Sequence, residues 1–204
     1  YLAQGYPSFR APYSGPNSLS PNAQMKATWS NSLFLNARLW DGGEIYYNPE
    51  LTQGFGLSDT VGAGGFPNGE AQKSDFAYPH YNTSRLFVRQ TFGFGGEQEE
   101  LASGPTQLAG KVDVSRLTVQ AGKFAVTDVF DGNAYAKDPR RDFMNWAMWA
   151  PGAFDYSADK VGLTYGATAE LNQKQWALRA GYFLMDAESN SNNFDMRVFQ
   201  RGEY

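Results

Sequence analysis

Arg38, Glu44, Tyr46, Asn48, Glu50, Arg85, Phe87, Arg89, Arg116, Thr118, Glu170 and Arg179 are the residues of this chain best placed to do chemistry. Each falls at an alternate position of a strand-like segment, on the parity that collects polar side chains. Arginine offers a planar fork that donates in fixed directions and does not deprotonate. Glu44 and Glu50 can accept protons from hydroxyls and balance the positive field, while Tyr46 and Phe87 add ring faces. Such a set suits reversible hydrogen bonding beside aromatic surface rather than the making of bonds. Catalytic groupings are thin by comparison. His80 is the single histidine, too little for a serine triad or a histidine-based metal site. Carboxylates are plentiful, so sequence leaves a hydrolytic carboxylate pair open. Asp128, Asp131, Asn133 and Asp138 share one loop, but their spacing lacks the glycine and distal glutamate of a helix-loop-helix calcium site. A solvated turn is the expectation there. The glycine-rich run 62–65 lacks the lysine and hydroxyl residue of a phosphate loop. No catalytic residue, metal or cofactor is expected.

Strands must position these side chains. From Ala27 to Leu39 one parity reads Ala27, Trp29, Asn31, Leu33, Leu35, Ala37 and Leu39, against Lys26, Thr28, Ser30, Ser32, Phe34, Asn36 and Arg38. Leu86, Val88, Phe92 and Phe94 oppose Arg85, Phe87, Arg89 and Thr91 in the same way. Trp176, Leu178, Ala180, Tyr182 and Leu184 oppose Gln175, Ala177, Arg179 and Gly181. Period-two alternation marks strands with one apolar and one wet face. No charge falls on the apolar parity of these segments, which fits lipid on one side and water on the other, as in a transmembrane β-barrel. A one-residue slip would put Arg89 or Arg179 into lipid, at roughly 2–4 kcal/mol each near the midplane. The pattern has defects: Asn31 and Gln90 share the apolar parity, and Trp40 the wet one. Trp29, Tyr47, Tyr165 and Trp176 sit on the apolar parity, where some could form interfacial girdles.

Seven strand segments are expected, at 25–40, 44–52, 85–95, 112–124, 159–171, 175–185 and 194–204. Asp41-Gly42-Gly43 and Asn172-Gln173-Lys174 read as tight turns, whereas 53–84 and 125–158 are long connections and 96–110 is intermediate. A soluble antiparallel sandwich alternates too, but the mixture of short turns and long loops favours a membrane barrel. Composition agrees. A pI near 5 and a formal charge of −4 argue against a nucleic-acid partner, and the absence of cysteine excludes a disulfide framework. Mean hydropathy is −0.51, and no run approaches the ~18 apolar residues of a membrane helix. Residues 1–204 show no internal repeat and no domain boundary, so they are expected to form a single β-barrel domain. Open edges are not tolerated in lipid. Either Tyr1–Arg10 supplies an eighth strand to a small barrel, or more chain follows; Tyr1 itself suggests a processed or truncated start.

Residues 43–51 (GEIYYNPEL), 54–58 (GFGLS) and 65–71 (GFPNGEA) resemble the carbohydrate-selective outer-membrane porins of the OprB type. So do 122–124 (GKF), 128–131 (DVFD), 138–140 (DPR), 143–146 (FMNW), 176–179 (WALR) and 181–183 (GYF). The resemblance implies an all-β, sixteen-stranded, water-filled barrel of which this chain is about the N-terminal half. It implies passive, selective diffusion of sugars through the bacterial outer membrane, with no enzymatic activity. Implied partners are mono- and small oligosaccharides, outer-membrane lipid and lipopolysaccharide, with a homo-oligomer allowed. Pore-lining, sugar-binding residues are then Arg38, Glu44, Tyr46, Asn48, Glu50, Arg85, Arg89, Arg116 and Arg179. By the same resemblance, two inward loops could form the constriction: one with Phe66, Asn68 and Glu70, the other with Arg140, Arg141 and Trp146. The rival readings are a soluble β-rich carbohydrate-binding or hydrolytic domain and a small, non-conducting membrane barrel.

Overall fold

Strands form wherever the alternation is regular, and every described pairing is antiparallel. The computed structural model describes residues 1–15, 18–60, 68–72, 75–131, 133, 135–136, 138–145, 148, 156–188, 191–200 and 202–203. In chain order the strands are β1 Leu2–Tyr6, β2 Gln24–Ser32, β3 Leu35–Trp40, β4 Gly43–Gly54, β5 Phe76–Gly93 and β6 Gln98–Leu101. They continue as β7 Gly110–Asp113, β8 Arg116–Phe124, β9 Thr164–Asn172, β10 Ala177–Leu184 and β11 Gly202–Glu203. The chain divides into two compact units. One comprises Tyr1–Ser32, Glu50–Asn82 and Asn133–Asp155; the other comprises Leu33–Pro49, Thr83–Gly132 and Tyr156–Tyr204. β4 and β5 contribute residues to both. In the first unit the order is β1-β2-β4-β5, and in the second β3-β4-β5-β8-β9-β10-β11, with β6–β7 a separate ladder. Among the described residues β1 pairs only with β2 and β11 only with β10, so the sheet is not closed.

Burial inverts the usual rule for a folded chain. On β4, Tyr46, Asn48, Glu50 and Thr52 are buried, whereas Leu51 is exposed. On β5, Arg85 and Arg89 are largely covered while Leu86, Val88 and Phe92 stand bare. On β9 and β10, Thr168 is buried while Tyr165 and Leu178 are exposed, Leu178 at 65%. On β4, β5 and β9 the wet parity is therefore the more covered face, while Arg38 on β3 and Arg179 on β10 keep about half of their side chains accessible.

Several expected segments change shape for identifiable reasons. The segment 25–40 is two strands, interrupted at Leu33–Phe34 opposite Pro49. Proline has no N–H to donate to the ladder, which would orphan the Leu33 carbonyl. The Asn48 side chain donates to that carbonyl instead at 2.9 Å, while Leu33 N–H still reaches Pro49 O at 3.0 Å. β5 starts at Phe76 rather than at residue 85, within what read as a long connection. Pro79 hid it, yet β8 pairs only with Leu86–Gly93, so Pro79 faces no β8 carbonyl in need of a donor. The segment 112–124 breaks at Val114–Ser115: β7 leaves to pair with β6, and only β8 continues beside β5 and β9. Residues 159–163 are a turn, closed by Asp159 N–H on Leu163 O at 2.7 Å, rather than the start of β9. The expected strand 194–204 is the least regular, with an isolated bridge at Phe194, a turn at 198–200 and strand only at Gly202–Glu203. In compensation, Tyr1–Arg10 does supply a strand, β1.

Gly122 shows why one position had to be glycine. Its φ is +141°, and a Cβ there would lie 2.3 Å from Leu86 O and 2.6 Å from the Phe87 Cα. The close approach seats Phe87 against β8.

Candidate functional site

In the second unit the covered strand face gathers most of the polar-parity residues around one cavity of about 260 Å³. Arg38, Glu44, Arg89, Arg116, Thr118, Glu170 and Arg179 all line it. Their charges interleave. Glu44 lies 3.5 Å from Arg38 and 4.0 Å from Arg89, and accepts from the Tyr46 hydroxyl at 2.5 Å. Arg179 and Glu170 are direct cross-strand partners and form an ion pair. Arg116 meets Glu99 at 2.6 Å. Arg89 donates through Nε and Nη2 to Gln120 Oε1, at 3.4 and 3.3 Å, and through Nη1 to the Tyr46 hydroxyl at 3.1 Å. Its guanidinium also lies over the Tyr46 ring, 4.7 Å from the centroid. Arg85 grips Asp128 with two bonds of 2.7 and 2.9 Å and reaches Asn48 at 3.3 Å. Asp128 is thus committed to an arginine.

Aromatic rings continue the same face. Phe87 stacks on Tyr46 at 4.8 Å, then meets Phe124 edge-on at 5.6 Å. Phe124 meets Phe183 at 5.7 Å, and Phe183 meets Phe130 of the one-turn helix Thr127–Phe130 at 6.0 Å. Offset and edge-on contacts of this kind add to plain area burial. Phe124, Phe183 and Gln120 were missed in the sequence, although each shares the parity of Arg116 or Arg179 and could have been found by extending it. Gln107, which also lines the cavity, lies in an aperiodic stretch that carried no such signal.

The first unit joins the two loops that sequence treated as separate candidates. Asn68 and Glu70, just before and within the 3-10 turn Gly69–Gln72, are fully buried, and Gly69 N–H donates to Met144 O at 2.7 Å. Asn68 Nδ2 donates to Thr28 on β2 at 2.7 Å. Arg140 reaches Glu50 at 3.3 Å, Glu70 at 3.9 Å, Asp138 at 3.0 Å and the Ser32 hydroxyl at 2.8 Å. Burial works against the Arg140 charge, but the Asp138 hydrogen bond and the charges of Glu70, Asp138 and Glu50 outweigh it. They hold the guanidinium pKa above its ordinary value. Glu50 therefore belongs with the loop arginine rather than with Glu44. Arg141 is exposed, while Phe66 and Trp146 lie outside the described residues.

A sheet that turns its apolar parity outward and gathers its charges on the other face has the pattern of a membrane β-barrel wall. Residues 16–204 match the family described as carbohydrate-selective porin, OprB family, and the chain belongs to that family. Its members are outer-membrane channels rather than enzymes. No curated protein and no solved structure matched the chain.

Proposed function

We propose that the chain forms part of a single barrel that lets sugars diffuse passively, without cofactor or energy input, through the outer membrane. The observation that carries this reading is the charge-interleaved cavity on the covered face, with aromatic rings continuing from it. Sugars are uncharged, rich in hydroxyls and flat on one side, so balanced donors and acceptors beside rings suit them better than a field of one sign. Arg38 and Arg179 keep about half of their side chains accessible, which leaves donors for a passing hydroxyl. Weak contacts at several points serve conduction, because a tight site would hold its solute. In the first unit Glu50, Glu70 and Arg140 hold a loop against β2 and β4 and are assigned to the constriction.

The test is liposome swelling with the native, full-length protein, comparing glucose and a disaccharide with an amino acid of similar size. Faster sugar entry is expected. No swelling from protein shown to be folded and inserted would refute the reading and leave a closed barrel.

A further inference from the structure

The β6–β7 hairpin leaves the main ladder and folds over the charged face of its own unit. Its base is held by Arg116, which donates to Glu99 at 2.6 Å and to Asp113 O at 2.9 Å. Its tip, residues 102–109, is closed by mutual backbone bonds between Gly104 and Gln107, at 2.8 and 3.2 Å. The tip docks onto side chains of the strands. Asn36 donates to Pro105 O at 3.0 Å, Arg89 to Thr106 O at 3.1 Å and to Gln107 Oε1 at 3.4 Å, and Leu108 N–H to the Tyr46 hydroxyl at 3.4 Å. Every nitrogen of the Arg89 guanidinium is engaged, either by the tip or by Gln120 and Tyr46. Arg89 is therefore poorly placed to bind a solute itself.

We propose that the hairpin tip is a size-selecting element of the sugar pathway and that Arg89 is the residue that positions it. The proposal rests on the porin reading above and deepens it. Leu101, Leu108 and Val112 of the hairpin face the same cavity as Arg38 and Arg179, so one side is apolar and the other donates. That pairing matches a sugar ring, with one face apolar and a rim of hydroxyls. The tip roofs a half-open cavity of about 260 Å³ that continues into a second one along Arg38, Glu44, Thr91 and Val112, and so narrows the space above the donors. The hairpin thus favours monosaccharides over longer sugars.

The experiment uses the full-length protein in liposomes, with glucose and a trisaccharide as solutes. One variant replaces residues 102–109 by Asn-Gly, a two-residue turn that closes the ladder at the Leu101–Gly110 pair. Trisaccharide entry should rise severalfold relative to glucose entry. Arg89→Ala in the intact protein should shift discrimination the same way, and in the shortened protein it should add nothing, as expected for two changes acting through one element. Unchanged trisaccharide exclusion in the folded, shortened protein would overturn the proposal. So would an Arg89→Ala effect of equal size in both backgrounds, because Arg89 would then act on the solute directly. Should the shortened protein fail to fold, Gln107→Cys, with any cysteine outside residues 1–204 replaced and the new thiol coupled to a bulky reagent, gives a second reading. Slower glucose entry after coupling supports the proposal, and unaltered entry overturns it. Absence of sugar entry in the unmodified protein would refute the porin reading as well. Normal entry with unchanged exclusion in the shortened protein would refute this inference alone.

Discussion

Arg140 draws several charges together in the first unit. Its guanidinium faces the carboxylates of Glu50 and Glu70, whose side chains are 3% and 1% exposed. Removing one member of a buried pair typically costs about 3–5 kcal/mol, because the partner charge is left without compensation. Arg140 is one-third exposed, which places Arg140→Met toward the lower part of that range. Adding Glu50→Gln and Glu70→Gln should restore most of the loss, since amides need no counter-charge. Urea unfolding in lipid vesicles measures both. A triple variant no more stable than Arg140→Met would show that charge balance is not what Arg140 supplies. In the second unit Asn48 has a comparable double duty, completing the ladder at Leu33 while accepting from Arg85.

At the scale of the element, the Asp113 carboxylate is one of the groups that hold the β6–β7 hairpin at its foot. Asp113 accepts from the Gln98 side chain at 3.0 Å and from Gly95 N–H at 2.7 Å, and these bonds hold its pKa below the ordinary carboxylate value. The folded form thus binds this proton less readily than the unfolded chain. The stabilisation is complete above the unfolded pKa, near ~3.9, and is lost as pH falls through that value toward the lower folded one. Hydrogen-exchange protection at Gly95 and Val114 should therefore fall below about pH 4. Asp113→Ala should show the weakened protection already at neutral pH. Equal protection in both proteins across that range would remove Asp113 from the role. Glu97 adds a second tie at the foot, accepting Val114 N–H at 2.8 Å and meeting Lys174 at 2.7 Å.

Across the whole molecule, the bare apolar residues define what surrounds it. Met25, Leu35, Leu39 and Leu51 stand exposed, as do Leu86, Val88, Phe92 and Leu178. Water would penalise such a surface, whereas hydrocarbon accepts it. Leu178→Arg should accordingly lower stability in vesicles by about 2–4 kcal/mol if Leu178 lies near the midplane, and by less toward an interface. In a water-facing strand the same change would be near neutral, so an unfolding curve superimposable on wild type would argue against lipid at this position. No helix among the described residues is long and apolar enough to cross a membrane, which leaves the strands to do so in this reading.

Alternation was legible in the sequence because a strand's period of two ties side-chain type directly to face, with no knowledge of neighbours required. Which face is wet and which parity carries the arginines of β5, β8 and β10 could be read that way; the turn at 41–43 was marked by its glycines, and the one expected at 172–174 lies at 173–176, because Asn172 still pairs with Ala177. The breaks could not be read. Pro49 and its Asn48 remedy depend on what lies across the ladder, and Pro79 lies outside the β5–β8 ladder, which begins at Leu86. The cavity could not be read either. Arg38, Arg89, Arg116 and Arg179 are far apart in the chain, and the hairpin that covers them lies in an aperiodic stretch. Local pattern determined the faces. Strand pairing and chain folding, which bring distant residues within hydrogen-bonding distance, decided which arginines look into the cavity and which hold its walls.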